Sequence, residues 1–292
     1  MQKTTSLRSK RKIQPSQIIT YVVLSLWALT TIYPFIWVIQ NSFKTKNDIL
    51  TKSFALPFGE LFTLDNYTQT FEKFDIWTAY RNSIIISGSV TIIVVLLAGM
   101  CAYGLARYQF KGRKVLHSLL IAAMMFPVFA TIIPVFTMQS KWGIVNTTVP
   151  LSWLSVALPQ IAGNISFATI VLMGYIHSLP IDLEEAAYLE GYGVVRIFFR
   201  IIMPLAKPSF ATVAIFSFLW SYNDLFTQMF FLRSAKFFTI TRLLNDISSV
   251  SGGTNYGWMA AAVVLVVLPV LVVYILLQKN IIKGLTAGAV KG

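Results

Sequence analysis

Charge is absent from long stretches of this 292-residue chain: no Asp, Glu, Lys or Arg occurs within 13–43, 82–106, 115–140, 142–181, 208–223 or 247–278. About 20 apolar residues in a helix cross a hydrocarbon core of roughly 30 Å. Five intervals are long enough outright. The sixth, 208–223, continues past Asp224 into Leu225–Leu232. The 142–181 interval is too long for one helix and holds Pro150, Pro159 and Pro180. Its span is placed at 151–176, with 142–149 as loop. Composition agrees: 12% of residues are charged, against about 25% in soluble domains. The expectation is an all-α integral membrane protein with six transmembrane helices.

Lys and Arg concentrate in cytoplasmic loops. With the N-terminus inside, the inner segments hold Lys3, Arg8, Lys10, Arg11 and Lys12; Arg107, Lys111, Arg113 and Lys114; Arg196, Arg200 and Lys207; and Lys279, Lys283 and Lys291. The outer segments hold fewer, beside Asp48, Glu60, Asp65, Glu72, Asp75 and Asp246. Both termini are therefore expected in the cytoplasm. The net charge of +13 reads as basic loops flanking spans, not as a nucleic-acid surface. The uncharged run after Lys12 exceeds the roughly 7–15 apolar residues of a secretory signal, so an uncleaved first span is expected. Expected boundaries are a basic tail (1–17), a first span (18–42), an extracytoplasmic loop (43–76), a transmembrane core (77–279) with a cytoplasmic loop at 180–207, and a cytoplasmic tail (280–292).

Cys101 has no possible internal disulfide partner, and His117 and His177 lack metal-ligand spacing, so no metal site is expected. Ala98, Ala102 and Ala106 form a small-residue stripe that lets helix backbones approach closely. Packing within the chain is the expected use, a subunit seam the alternative. Pro34, Pro127, Pro134 and Pro159 fall in or near spans. Ser248–Tyr256 is Ser/Gly/Asn-rich and reads as an outer loop, either a plain connection or a contact for an external protein.

One stretch departs from this apolar pattern. Asp182–Pro204 reads DLEEAAYLEGYGVVRIFFRIIMP, amphipathic and charge-bearing. Asp182 is placed as an N-cap and Glu185 as its capping-box partner. Gly191 and Gly193 interrupt, Val194–Met203 is again helix-like, and Pro204 and Pro208 close it. Two short helices with a glycine bend are expected on the cytoplasmic side. Ala186, Ala187, Val194, Val195, Ile197, Phe198 and Ile201 are more apolar surface than a solvated loop keeps exposed. They pack beneath the bundle or meet a partner.

Glu185-Ala186-Ala187, Gly191, Ile201, Met203 and Pro204 resemble the Glu-Ala-Ala loop of ABC-transporter inner-membrane permeases, with Met203 where that pattern has Leu. The tail Gly284, Leu285, Thr286, Ala287, Gly288 through Gly292 resembles the smaller permease of maltose-type carbohydrate importers, as does Trp220, Asn223, Asp224 and Phe226. The resemblance implies the type I importer permease fold. It assigns Glu185, Ala186, Ala187, Gly191, Ile201 and Pro204 to coupling with an ATPase, and Gly284, Leu285, Thr286 and Gly288 to a possible second ATPase contact. Implied partners are a second homologous permease, two ATP-binding subunits that use ATP and Mg, an extracytoplasmic solute-binding protein and membrane lipid. The implied substrate is a carbohydrate, specifically an oligosaccharide, with a non-sugar solute as the alternative. No cofactor on this chain and no nucleic acid are expected.

For the solute path, Asn164, Trp220, Tyr222 and Asn223 are the candidates, with Gln160 and Trp153 nearby. Each has an ordinary use as well: interhelical hydrogen bonds for the amides, an interfacial belt for the aromatics. Asp224 falls near the outer end of its span, roughly 25 Å along the helix from Lys207, where a solvated helix end is expected ahead of a sugar ligand. No G-x-x-x-x-G-K-[ST] run exists for nucleotide binding. A secondary transporter would place ion-coupling carboxylates at the midplane or repeat its halves. A membrane enzyme would cluster carboxylates or histidines. Neither pattern occurs.

Overall fold

The computed structural model describes residues 15–145, 149–250 and 255–289, and every regular element among them is helical. In chain order these are α1 (Pro15–Ser42), α2 (Lys46–Thr51), α3 (Asp65–Lys73), α4 (Ile76–Arg107), α5 (Arg113–Met124), α6 (Val128–Lys141) and α7 (Val149–His177). Then come α8 (Asp182–Leu189), α9 (Val194–Ile197), a π-helical turn (Phe198–Ile202), α10 (Met203–Leu205), α11 (Lys207–Asn223), α12 (Leu225–Phe231), α13 (Ile240–Val250) and α14 (Tyr256–Ala289). Single 3₁₀ turns lie at Gly59–Leu61 and Ala235–Phe237.

Four helical segments are long and apolar enough to cross a bilayer: Pro15–Ser42, Ile76–Arg107, Leu151–His177 and Tyr256–Ile275. Two further crossings exist if α5 with α6, bent by 101°, and Val194–Leu205 with Lys207–Asn223, bent by 84°, each count as one. The run at 115–140, expected as one span, is therefore broken. Pro127 lacks an N–H and its ring clashes with the preceding turn, and α5 stops at Met124 just before it. The fifth expected span also divides, because Asp224 leaves helical geometry (φ −73°, ψ 80°) and caps α12 through Thr227 N–H at 3.1 Å.

α4 is the central helix, packed most extensively on α7 and next on α11. The small-residue stripe serves that packing: Ala98 and Ala102 are fully buried and Ala106 nearly so. Gly99 admits the rings of Phe198 and Phe210; a Cβ there would sit 2.7 Å from Phe210 and 3.2 Å from Phe198. α1 lies outside this core, its most apolar window wholly unburied, and touches mainly α14.

Polar locks gather at one end of the bundle. Asn66 donates to the carbonyls of Ser42 and Lys44 at 2.9 and 2.7 Å. Lys44, fully buried, donates to Asn41 Oδ1 and to the Lys52 and Ser53 carbonyls. Asn82 Nδ2 spans to the Lys236 and Phe238 carbonyls at 3.1 and 2.9 Å. The Ser/Gly-rich segment is shorter than expected, because α13 continues to Val250 and α14 opens at Tyr256. Residues 251–254 between them, the basic N-terminal residues and Lys291 lie outside the described residues.

Candidate functional site

At the opposite end of the bundle, residues 178–207 build a hairpin of short elements, α8, α9, the π-helical turn and α10. α8 begins one residue earlier than its sequence implies: Ile181 is already in right-handed helical geometry and Glu184 N–H bonds its carbonyl at 2.8 Å. Asp182 is thus not the cap, and it makes no capping box with Glu185. Pro180, with its fixed φ, delivers the chain into the helix directly. Asp182, Glu184 and Glu185 all lie in the first turn, where carboxylates favour the positive helix end.

The glycine bend is present and closes α8 by a Schellman arrangement. Tyr192 N–H reaches the Ala187 carbonyl at 3.0 Å and Gly191 N–H reaches Tyr188 at 3.0 Å. Gly191 adopts φ +81°, the left-handed region that costs an L-residue roughly 1–2 kcal/mol. Nothing in this chain lies within 4 Å of where its Cβ would stand, so backbone conformation, not crowding, selects glycine. Gly193 returns to extended geometry (φ −78°) and starts α9.

Burial sorts the two carboxylates. Glu185 is exposed, while Glu184 is 3% exposed. Glu184 Oε1 accepts from Arg107 Nε at 2.5 Å and its Oε2 accepts from the Tyr103 hydroxyl at 2.9 Å. Arg107 also donates to the Leu179 carbonyl at 2.8 Å. One guanidinium thus ties the last turn of α4, the chain leaving α7 and the first turn of α8. Removing one member of such a buried pair costs far more than an exposed pair is worth. A hydroxyl contact joins Tyr108 to Tyr188, and Tyr103 and Tyr108 approach to 3.3 Å. The bond to Tyr108, aided by burial, pushes the Tyr188 hydroxyl above its ordinary pKa.

The apolar residues divide in the same way. Ala187, Ile197 and Phe198 are buried, Phe198 against Tyr103 with ring centroids 5.7 Å apart. Ile201 is half-buried, while Ala186 and Pro204 are exposed. Leu189 is 91% exposed and Val195 69%, with Leu183, Val194 and Phe199 also open. This is more exposed apolar surface than a solvated loop ordinarily keeps, and it stands on a clamped base.

Sequence reading had assigned Glu185, Ala186, Ala187, Gly191, Ile201 and Pro204 to this segment. It missed Glu184, Arg107, Tyr103 and Tyr188, and the prominence of Leu189. A helical signal was available: residues three apart share a face, so an inward Ala187 carries Glu184 inward with it. The tail residues Gly284, Leu285, Thr286 and Gly288 lie within α14.

The solute-path candidates do not converge. Asn164 is buried and donates to the Gln160 carbonyl at 3.0 Å. Gln160 in turn donates to Asp224 Oδ2 at 2.9 Å and accepts from Ser221 Oγ at 2.6 Å, pinning the α11–α12 break to α7. Trp220 and Asn223 are exposed on α11, Trp220 beside Phe167, Phe216 and Leu219 around an apolar cavity of about 400 Å³. Tyr222 is interior; its hydroxyl and the Trp153 indole N–H are buried without a hydrogen-bond partner. Among the described residues no group of three or more His, Cys, Asp or Glu side chains could hold a metal.

Residues 94–287 match the family described as binding-protein-dependent transport system inner membrane component. The chain belongs to that family. The match takes in the stripe of α4, the clamp and the whole exposed ridge. The chain is 34% identical over 273 residues to the diacetylchitobiose uptake system permease protein of Streptomyces coelicolor, covering 92% of this chain and 87% of that one. It is also 34% identical to the galactooligosaccharides transport system permease protein of Bacillus subtilis, over 94% and 95% of the two chains. In fold it resembles a chain of a bacterial ABC transporter that imports alginate, with a TM-score of 0.73 and 23% identity over 95% and 99% of the two chains. This permease is accordingly a multi-pass component of the cytoplasmic membrane and not an enzyme.

Proposed function

We propose that this permease carries a carbohydrate, specifically an oligosaccharide, as half of the path of an ATP-driven importer, and that the α8–α9 hairpin docks into the ATP-hydrolysing subunit. The observation that carries the reading is the pairing of an exposed apolar ridge with a buried ionic clamp. A flexible loop could bind a motor subunit, but only a rigidly anchored one converts its movement into movement of the spans. Glu185 and Gly191 face the partner in this reading; Glu184 and Arg107 face the bundle. The tail 284–288 supplies a second contact on the same side.

Six crossings follow if each bent pair counts as one, and the ends of α1 and α14 then both lie in the cytoplasm with the ridge. The clustering of Arg107, Lys111, Arg113 and Lys114 beside the ridge supports that orientation. A second homologous permease completes the path, two ATPase subunits use ATP and Mg, and an external binding protein delivers the solute. The oligosaccharide substrate rests on the names of the relatives. The chain's own residues bind the solute weakly and successively: Trp220 offers an aromatic face, Asn223 an exposed amide, and Tyr222 and Asn164 polar groups further in.

Proteoliposomes holding both permeases and the ATPase, supplied with the binding protein, test the proposal. ATP-dependent uptake of an oligosaccharide is expected. Uptake by this chain alone without a motor subunit, or ATP-driven uptake confined to a non-sugar solute, would overturn it.

A further inference from the structure

His117 and His177, distant in sequence, line a single pocket of about 600 Å³ between α5 and the end of α7. Arg113, Lys114 and Gln109 line it as well, and no carboxylate does. Two imidazoles are too few for the metal sites of proteins, and none of the other polar lining groups is a metal ligand of the usual kind. What the pocket gathers is positive charge: Arg113 and Lys114 line it, on a turn whose other two cations are Arg107, paired with Glu184, and Lys111. Arg113 is oriented by its Nε–H bond to the Leu105 carbonyl at 2.8 Å, which leaves its terminal nitrogens for another acceptor. Confining like charges in one concavity is unfavourable unless an anion joins them.

The remaining lining is apolar: Leu105, Phe110, Val115 and Met173. α5 rises from this pocket with no buried residue at all, and Val115, Leu116, Leu119 and Ile121 are exposed along it. A phosphate site open to water would not need such a wall. An anion that carries its own apolar chains would.

We infer that this pocket seats the phosphate of an anionic phospholipid from the cytoplasmic leaflet, with its acyl chains lying along α5. The inference rests on the cytoplasmic orientation of the 107–114 turn and is independent of which solute is carried. Basic clusters at this level attract anionic lipid at about 1 kcal/mol per cation, or roughly fivefold in affinity for each one removed.

The test uses the assembled transporter in nanodiscs of phosphatidylcholine with a minor fraction of phosphatidylglycerol, and native mass spectrometry to count retained lipid. Wild type is expected to retain phosphatidylglycerol selectively, and Lys114→Gln with His117→Gln to lose it at least fivefold. That pair spares Arg113 and its Leu105 bond, so folding is not at stake. Excess inorganic phosphate should leave the retained lipid in place; displacement by phosphate would replace a lipid site with a free-anion site. Equal retention of the two lipids, or no change in the double variant, would overturn the inference, as when the second permease covers α5. Labelling of Lys114→Cys by an impermeant reagent from outside intact cells would instead sink the orientation beneath it.

Discussion

Glu184 and Glu185 are adjacent carboxylates, one buried and one exposed, so substituting each with alanine separates anchoring from the proposed docking. Glu184→Ala removes the acceptor of Arg107 Nε at 2.5 Å and of the Tyr103 hydroxyl at 2.9 Å. The Arg107 and Glu184 side chains are 9% and 4% exposed, so water cannot replace what is lost. Breaking a buried pair in this way costs about 3–5 kcal/mol. Arg107 keeps its Leu179 bond, which places the expected loss at the lower end, about 3 kcal/mol. Glu185→Ala removes an exposed group with no such partner and is expected to change stability by less than about 0.5 kcal/mol. Thermal unfolding of the purified transporter in detergent, with limited proteolysis at the hairpin, reads the first effect. ATPase stimulation by solute-loaded binding protein reads the second. Glu184→Ala should lower the unfolding temperature by several degrees and expose the hairpin to protease, whereas Glu185→Ala should unfold normally and lose stimulation. Equal thermal stability for the two variants would refute the clamp.

Three further outcomes follow from the packing. Gly191→Asn, which tolerates φ > 0, should fold with a loss near or below about 1 kcal/mol, whereas Gly191→Trp should assemble in the membrane yet fail to couple; normal uptake by the tryptophan variant would count against docking there. Gly99→Ala forces its Cβ to 2.7 Å from the Phe210 ring and should cost about 1–3 kcal/mol, seen as a lowered unfolding temperature. Gly257→Ala would drive a Cβ to 2.2 Å from Asn66 Oδ1, so the Ser42 and Lys44 carbonyl bonds should be lost and proteolysis within 43–76 should quicken.

The long helices were readable because exclusion of charge from hydrocarbon leaves long uncharged runs: α7 (Val149–His177) brackets the expected 151–176, while α4 starts at Ile76, ahead of its run and across Arg81. The bend between α5 and α6 was not, since Pro127 marks a break without fixing its angle. The hairpin was readable in outline from Gly191 and the flanking prolines. Its cap was misassigned because Asp182 is an equally good first-turn acid, and the choice between those roles depends on where Pro180 releases the chain. The clamp could not be found by spacing: Arg107 and Glu184 meet only through the packing of α4 on α7. The packing of the solute-path amides was not readable singly: Gln160 bonds Ser221 and Asp224 at the α11–α12 break, and Asn164 bonds back to the Gln160 carbonyl within α7.

Cross-linking at Leu189 tests the proposed docking of this ridge most directly. A Leu189→Cys chain in a Cys101→Ser background should cross-link to the ATPase subunit, and the ATPase should slow its alkylation from the cytoplasmic side. Alkylation from outside intact cells, or at the same rate with and without the ATPase, would contradict the account.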